Sequence, residues 1–194
     1  DLSKPRNTGV RVINLPADGS DSLINVRRVS EGQEVLITTR KGQAVRFKST
    51  DARSMGRASY GVKGIDLKKG DEVVSLVPVL TDKKATILTV TEKGSGKRSA
   101  LEDYRKTSRG GKGVINLKVN DKTGRVVRSL SVDSKDSVIL TTTKGMILRT
   151  SMKQLRVMGR ATQGVKIVKM KPGDKIADAV KVPREDVVLE GDSE

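Results

Sequence analysis

The feature that most constrains this chain is a period. Gly-Val pairs recur at Gly9-Val10, Gly61-Val62, Gly113-Val114 and Gly164-Val165, at spacings of 52, 52 and 51 residues. A second series, Gly42, Gly94 and Gly145, is spaced 52 and 51. Self-similarity at a fixed period of this size marks a repeat architecture, in which each unit buries its faces against its neighbours. Three copies run over about 9–60, 61–112 and 113–163, and a fourth stops after its first two strands at 164–182.

Each copy reads as four strands. The opening segments (GVRVINL, GVKGIDL, GVINLKV, GVKIVKM) are rich in β-branched residues and lead to a glycine-bearing turn. A second strand follows (EVVSLVPV, RVVRSLSV, KIADAVKV), then the most apolar one (EVLITT, ATILTVT, SVILTTT). That third strand ends in a Lys-Gly turn, and a fourth (QAVRF, SGKRS, MILRT) runs into a polar segment of about ten residues. No stretch keeps a 3.6-residue apolar period over two turns, which excludes a helical solenoid. The expected fold is all-β, a pinwheel or propeller-like array of four-stranded blades over residues 1–183. One Phe, two Tyr and no Trp leave little aromatic area for one large core, so several thin cores of aliphatic residues are expected between blades.

The same register aligns cations. Arg46, Arg98 and Arg149 coincide, as do Arg53, Arg105 and Arg156, and Arg57, Arg109 and Arg160. Lys41, Lys93 and Lys144 recur in the Lys-Gly turn. The net charge is +16; residues 184–194 carry −4 as an acidic tail, leaving +20 on residues 1–183. That balance is the footprint of a polyanion binder. In the second copy, Arg109-Gly110-Gly111-Lys112 adds flexible backbone donors to the charge, so these four are candidate phosphate contacts. Two bland readings compete: the glycines can serve only a turn, and a recurring strand arginine can guard a sheet edge. The lack of aromatic stacking platforms argues against single strands and for the backbone of double-stranded DNA.

Nothing points to catalysis. There is no His and no Cys, so the usual general base and the thiolate metal ligands are missing, and neither a metal nor another cofactor is expected. Gly94-Ser-Gly-Lys97 departs from a phosphate loop at Thr91 and Arg98. Tyr60 and Tyr104 could act as nucleophiles only with a base or metal cluster that the sequence does not supply. No apolar run is long enough to span a membrane as a helix.

The stretches KPRNTGVRVINL, TRKGQAVRFKSTDARSMGRASYGVKGI, SALEDYRKTSRGGKGVINLKV and TTKGMILRTSMKQLRVMGRATQGVKIV resemble the C-terminal β-pinwheel domain of gyrase A, from the type IIA topoisomerase DNA gyrase. The resemblance covers nearly the whole chain ahead of the acidic tail. It implies blades that exchange strands, duplex DNA bent or wrapped around a basic rim, and a non-catalytic part in negative supercoiling. It also implies partnership with the rest of gyrase A and with gyrase B, in the cytoplasm at the nucleoid. The family's DNA-wrapping box begins with Gln and a basic residue, where this chain has Thr107-Ser108, so the box here reads as a degenerate internal copy. A full domain of that family also has more blades than the three and a half counted here, so the first blades are expected to be missing and wrapping to be impaired. The homologous domain of topoisomerase IV and a propeller-like protein-interaction module are the rival readings.

Overall fold

A computed structural model describes residues 9–79 and 85–182; the acidic tail expected at 184–194 lies outside them. Among these residues the regular structure is eleven β-strands and three short 3-10 turns, with no α-helix. From the first copy come β1 (Glu34–Thr39) and β2 (Gln43–Lys48). The second supplies β3 (Val73–Pro78), β4 (Thr86–Thr91) and β5 (Ser95–Ala100). The third supplies β6 (Val114–Ile115), β7 (Val126–Val132), β8 (Ser137–Thr142) and β9 (Ile147–Ser151). The fourth adds β10 (Val165–Lys166) and β11 (Ile176–Val182).

The strands form three antiparallel sheets, ordered β3-β1-β2-β6, β10-β5-β4-β7 and β11-β8-β9. Each blade is therefore a composite. In the four-stranded sheets the central hairpin comes from one copy, the inner strand from the next, and the outer strand from the copy after that. In the first blade Glu34 to Thr38 pair with Lys48 to Ala44, while Val35 to Ile37 pair on the other side with Pro78 to Leu76. The second blade repeats the pattern with Leu88 opposite both Arg98 and Leu130. The expected exchange of strands between neighbours is present, and it supplies two strands of each four-stranded sheet.

The opening segments differ from the expectation of a full strand. In the third and fourth copies only two residues pair, Val114-Ile115 against Ala44-Gln43 and Val165-Lys166 against Gly96-Ser95. The chain then bends over the hairpin turn, where Asn116 N donates to Gly42 O at 2.8 Å and Ile167 N to Gly94 O at 2.9 Å. In the described part of the first two copies no opening strand forms. β-Branched composition signals the tendency, and the pairing partner decides the outcome.

Packing lies between blades. Leu36, Ala44 and Val77 of the first sheet meet Ile87, Leu101 and Tyr104 of the second copy. Leu88, Val90 and Val132 meet Val138, Leu140, Met152 and Ile176 in the next interface. A smaller cluster of Val35, Val45, Phe47 and Ile65 covers the outer end of the first sheet. The fully buried β4 keeps its threonines by satisfying their hydroxyls, as Thr86 Oγ1 donates to Val132 O and Thr91 Oγ1 to Thr123 O.

The hairpin glycines expose the asymmetry of the ends. Gly42, Gly94 and Gly145 all have φ between +75° and +84°. A Cβ at Gly94 would lie 2.6 Å from Val168 O of the incoming fourth copy, whereas one at Gly145 meets nothing within 4 Å. Gly145→Ala should thus cost only the left-handed backbone strain of about 1–2 kcal/mol. Gly94→Ala should cost clearly more, read as a larger fall in the urea midpoint; equal losses at the two sites would contradict the composite-blade packing.

Candidate nucleic-acid interface

The polar segments after β2, β5 and β9 each begin with a 3-10 turn, at Ser49–Asp51, Leu101–Asp103 and Met152–Gln154. The three families of recurrent arginine occupy three different environments around them.

Arg46 and Arg98 are turned inward. Arg46 Nη1 donates to Leu101 O at 2.9 Å and Tyr104 O at 3.1 Å, and Nε donates to Glu34 Oε2 at 2.7 Å. Arg98 repeats the arrangement one copy on, with Nη1 to Met152 O at 2.6 Å and Leu155 O at 3.3 Å, and Nε to Thr86 Oγ1. Only 5% of Arg98 is exposed. Burial works against its charge, with Asp136 partly offsetting. Both side chains cap the 3-10 turn of the following copy, which corrects the expectation of rim or edge cations at these two positions. Burial alone would raise the Glu34 carboxyl, but Arg46 and Lys106 outweigh it and hold it below its ordinary value. Arg149 is exposed on β9 and has no hydrogen-bond or ion-pair partner among the described residues.

Arg109 and Arg160 reach backwards. Arg109 Nε donates to Asp51 O at 2.8 Å and Nη1 to Lys63 O at 3.0 Å. Arg160 makes the matching bonds to Asp103 O and Ile115 O. Their expected role on the rim meets a second one, as struts between copies. Arg57 is exposed and makes no such bond among the described residues. The turn lysines also reach a carbonyl in the next copy's turn: Lys41 Nζ donates to Lys69 O, Lys93 Nζ to Asp121 O and Lys144 Nζ to Pro172 O. All three remain exposed.

Arg53, Arg105 and Arg156 differ from all of these. Each stands two residues beyond its 3-10 turn, is exposed, and has no side-chain partner among the described residues. The backbone beside two of them is pinned. The carbonyl of the preceding residue accepts from Arg46 or Arg98, and two residues further on Thr107 N donates to Arg46 O and Met158 N to Arg98 O. Arg105 and Arg156 therefore project from short spans fixed at both ends.

The glycine pair of the second loop is part of the scaffold. Gly110, at φ +79°, donates its N–H to Gly64 O at 2.7 Å, and Gly111 O accepts from Asp66 N. These bonds strap the loop to the start of the second copy, so the turn reading accounts for Gly110. Lys112 beside them is exposed.

Two residues in the second copy take their meaning from the structure. Tyr104 is buried, and its hydroxyl donates to Asn116 Oδ1 at 2.6 Å. Burial pushes its ionisation well above the ordinary phenol range, which removes it as a nucleophile. Lys97 is 0% exposed, at the position held by Val45 and Leu148 in the flanking copies. Its Nζ donates to Ser99 Oγ at 2.8 Å, Gly159 O at 3.0 Å and Arg160 O at 2.6 Å. A lysine at an apolar strand position is the sequence signal for it. Among the described residues no cluster of His, Cys, Asp or Glu could hold a metal, and no helix is long and apolar enough to cross a membrane.

The chain matches the family described as DNA gyrase C-terminal domain, beta-propeller, over residues 2–30, 33–79, 85–133 and 136–183. It belongs to that family. The DNA gyrase A protein of Chlamydia pneumoniae is 36% identical over 196 residues, covering 100% of this chain and 23% of that protein. Its counterpart from Fibrobacter succinogenes is 46% identical over 149 residues, covering 77% of this chain and 16% of that protein. This chain thus spans less than a quarter of such relatives. A solved DNA gyrase A C-terminal domain superposes with a TM-score of 0.83 at 28% identity, covering 90% of this chain and 58% of that one. The C-terminal domain of a DNA topoisomerase IV shares the fold, with a TM-score of 0.82 at 24% identity over 93% of this chain and 55% of that one.

Burial lowers the Lys97 ammonium from 10.5 to about 8, with Arg160 adding to the effect and Asp103 opposing it. Between those two values the unfolded chain binds more protons, so stability rises with pH across that window. The gain is on the order of 3 kcal/mol at 1.36 kcal/mol per unit. Urea unfolding of the wild type and of Lys97→Met should diverge from pH 7.5 to 9.5, the wild type gaining on the variant. A constant difference would show that Lys97 titrates normally.

Proposed function

We propose that this chain binds double-stranded DNA by its phosphate backbone, without reading sequence, as the C-terminal domain of a gyrase A protein. The observation that carries this reading is the recurrence of Arg53, Arg105 and Arg156 at one loop position, exposed and free of side-chain partners among the described residues. Lys112, Arg57 and Arg149 add exposed charge, and Lys41, Lys93 and Lys144 supply more at the hairpin turns. The inward arginines and the strut arginines serve to hold the loops.

Cations repeated by blade rather than by groove suit a backbone laid across several blades and bent over them. Bending 20–30 bp smoothly by 40–90° costs on the order of 1–6 kcal/mol, which phosphate contacts must offset. In the holoenzyme such a bend would support negative supercoiling, with the remainder of gyrase A and gyrase B as partners and catalysis located elsewhere. With the Gly110 amide committed to the strap, the second loop is not a free phosphate cradle, so wrapping by this chain alone is expected to be weak.

A labelled duplex of 40–150 bp, titrated at several salt concentrations, tests this. With 6–10 phosphate contacts, affinity should fall about 10³–10⁵-fold between 50 and 200 mM salt. Replacing Arg53, Arg105 and Arg156 together with Ala should flatten the logarithmic salt slope by roughly 3, near 0.9 per lost contact. A salt-independent affinity would favour a protein-interaction module.

A further inference from the structure

In their main-chain bonds to the rest of the fold, the second and third basic loops are built alike except at one. Asp66 N donates to Gly111 O, and Lys118 N makes the equivalent bond to Thr162 O. Thr107 N to Arg46 O is likewise matched by Met158 N to Arg98 O. The strap from Gly110 N to Gly64 O has no counterpart, however: among the described residues Ala161 N makes no such bond to Asn116. The cause is the residue type. Gly110 sits at φ +79°, and Ala161, which occupies its place, does not take a positive φ.

Lys97 stands where that bond is lost. Its Nζ lies inside the second blade and donates to the two consecutive carbonyls of Gly159 and Arg160, immediately before Ala161. In the first blade the same strand position is Val45, and the loop it faces already has the glycine strap. In the third it is Leu148, which faces no such loop among the described residues. The only copy with a lysine in this position faces the loop whose own backbone cannot make the strap.

We propose that Lys97 is the positioning residue of the third basic loop, clamping its backbone from within the neighbouring blade so that Arg156 is held out toward a DNA phosphate. This rests on the duplex-binding reading for its function but not for its geometry. The clamp replaces a main-chain hydrogen bond with a charge-assisted side-chain one, which is strong enough to substitute for it. It leaves Arg156 itself free.

The test uses the whole chain with Lys97→Met, and the same variant carrying Ala161→Gly. Lys97→Met should speed amide exchange across residues 156–162 on the order of tenfold, as for one lost charge-assisted hydrogen bond, and leave 105–111 unchanged. Duplex affinity should fall toward that of Arg156→Ala, and Arg156→Ala should then cost little more in the Lys97→Met background. Ala161→Gly should restore slow exchange and most of the affinity, because glycine there can adopt the backbone of Gly110. Unchanged exchange at 156–162 overturns the clamp whatever the affinity does. Faster exchange with duplex affinity intact upholds the clamp and removes the third loop from the DNA-binding surface.

Discussion

No copy of this repeat can satisfy its own backbone. A two-stranded hairpin such as β1-β2 leaves two rows of unpaired N–H and C=O groups, and in water an isolated hairpin is marginal. Here the inner edge is closed by the next copy and the outer edge by the copy after it. Each four-stranded blade is thus bonded across three stretches of chain, and the apolar clusters lie at the joints between blades. A chain so poor in aromatics gains its stability from this sharing rather than from one core. The third blade, which has no outer strand among the described residues, shows what that strand covers: Ile147 is 69% exposed, whereas Ala44, at the matching strand position in the first blade, is 0%.

The basic residues are organised by the same exchange. Wherever strands cross between copies, a cation follows and satisfies carbonyls that the crossing leaves open. Arg46 and Arg98 cap the next 3-10 turn, Arg109 and Arg160 reach back to the previous one, and the lysines of the hairpin turns hold the next turn over. A large part of the +16 charge is therefore committed to architecture. Of the arginines left over, Arg105 and Arg156 stand on short spans fixed at both ends by that commitment, which is how charge is presented at low conformational cost.

Much of the fold is legible in the sequence because the period is strict. The second strand of the second to fourth copies, and the third and fourth strands of the first three, match the structure to within a residue or two, since alternation and the Lys-Gly turn are local signals; the first copy forms no second strand among the described residues. The opening segments carry strand composition without full strands: β6 and β10 pair over two residues only, and a sequence does not reveal a partner two copies away. The candidate site is legible in register but not in orientation. Arg98 and Arg105 look alike as letters seven residues apart, yet one sits on a strand of buried residues and the other past a 3-10 turn that no sequence pattern announces. Gly110-Gly111 has the look of a phosphate contact but includes a strap, because its partner, Gly64, lies far back at the start of the same copy. Lys97 stands in the sequence as the end of a faint phosphate loop, although comparison with Val45 and Leu148 marks it as a lysine on an apolar face.

The recurrent arginines divide into inward ties and exposed side chains that we propose as DNA contacts, and a crossed measurement on Arg98→Gln and Arg156→Gln tests that division most directly. Each variant loses one positive charge, so salt-dependent duplex affinity and the urea midpoint can be compared side by side. Arg98→Gln should lower the stability read from the midpoint by about 1–3 kcal/mol, for carbonyls left unpaired. Arg156→Gln should lower affinity and the salt slope with the midpoint unmoved. A pair of variants equal in both properties would contradict the division.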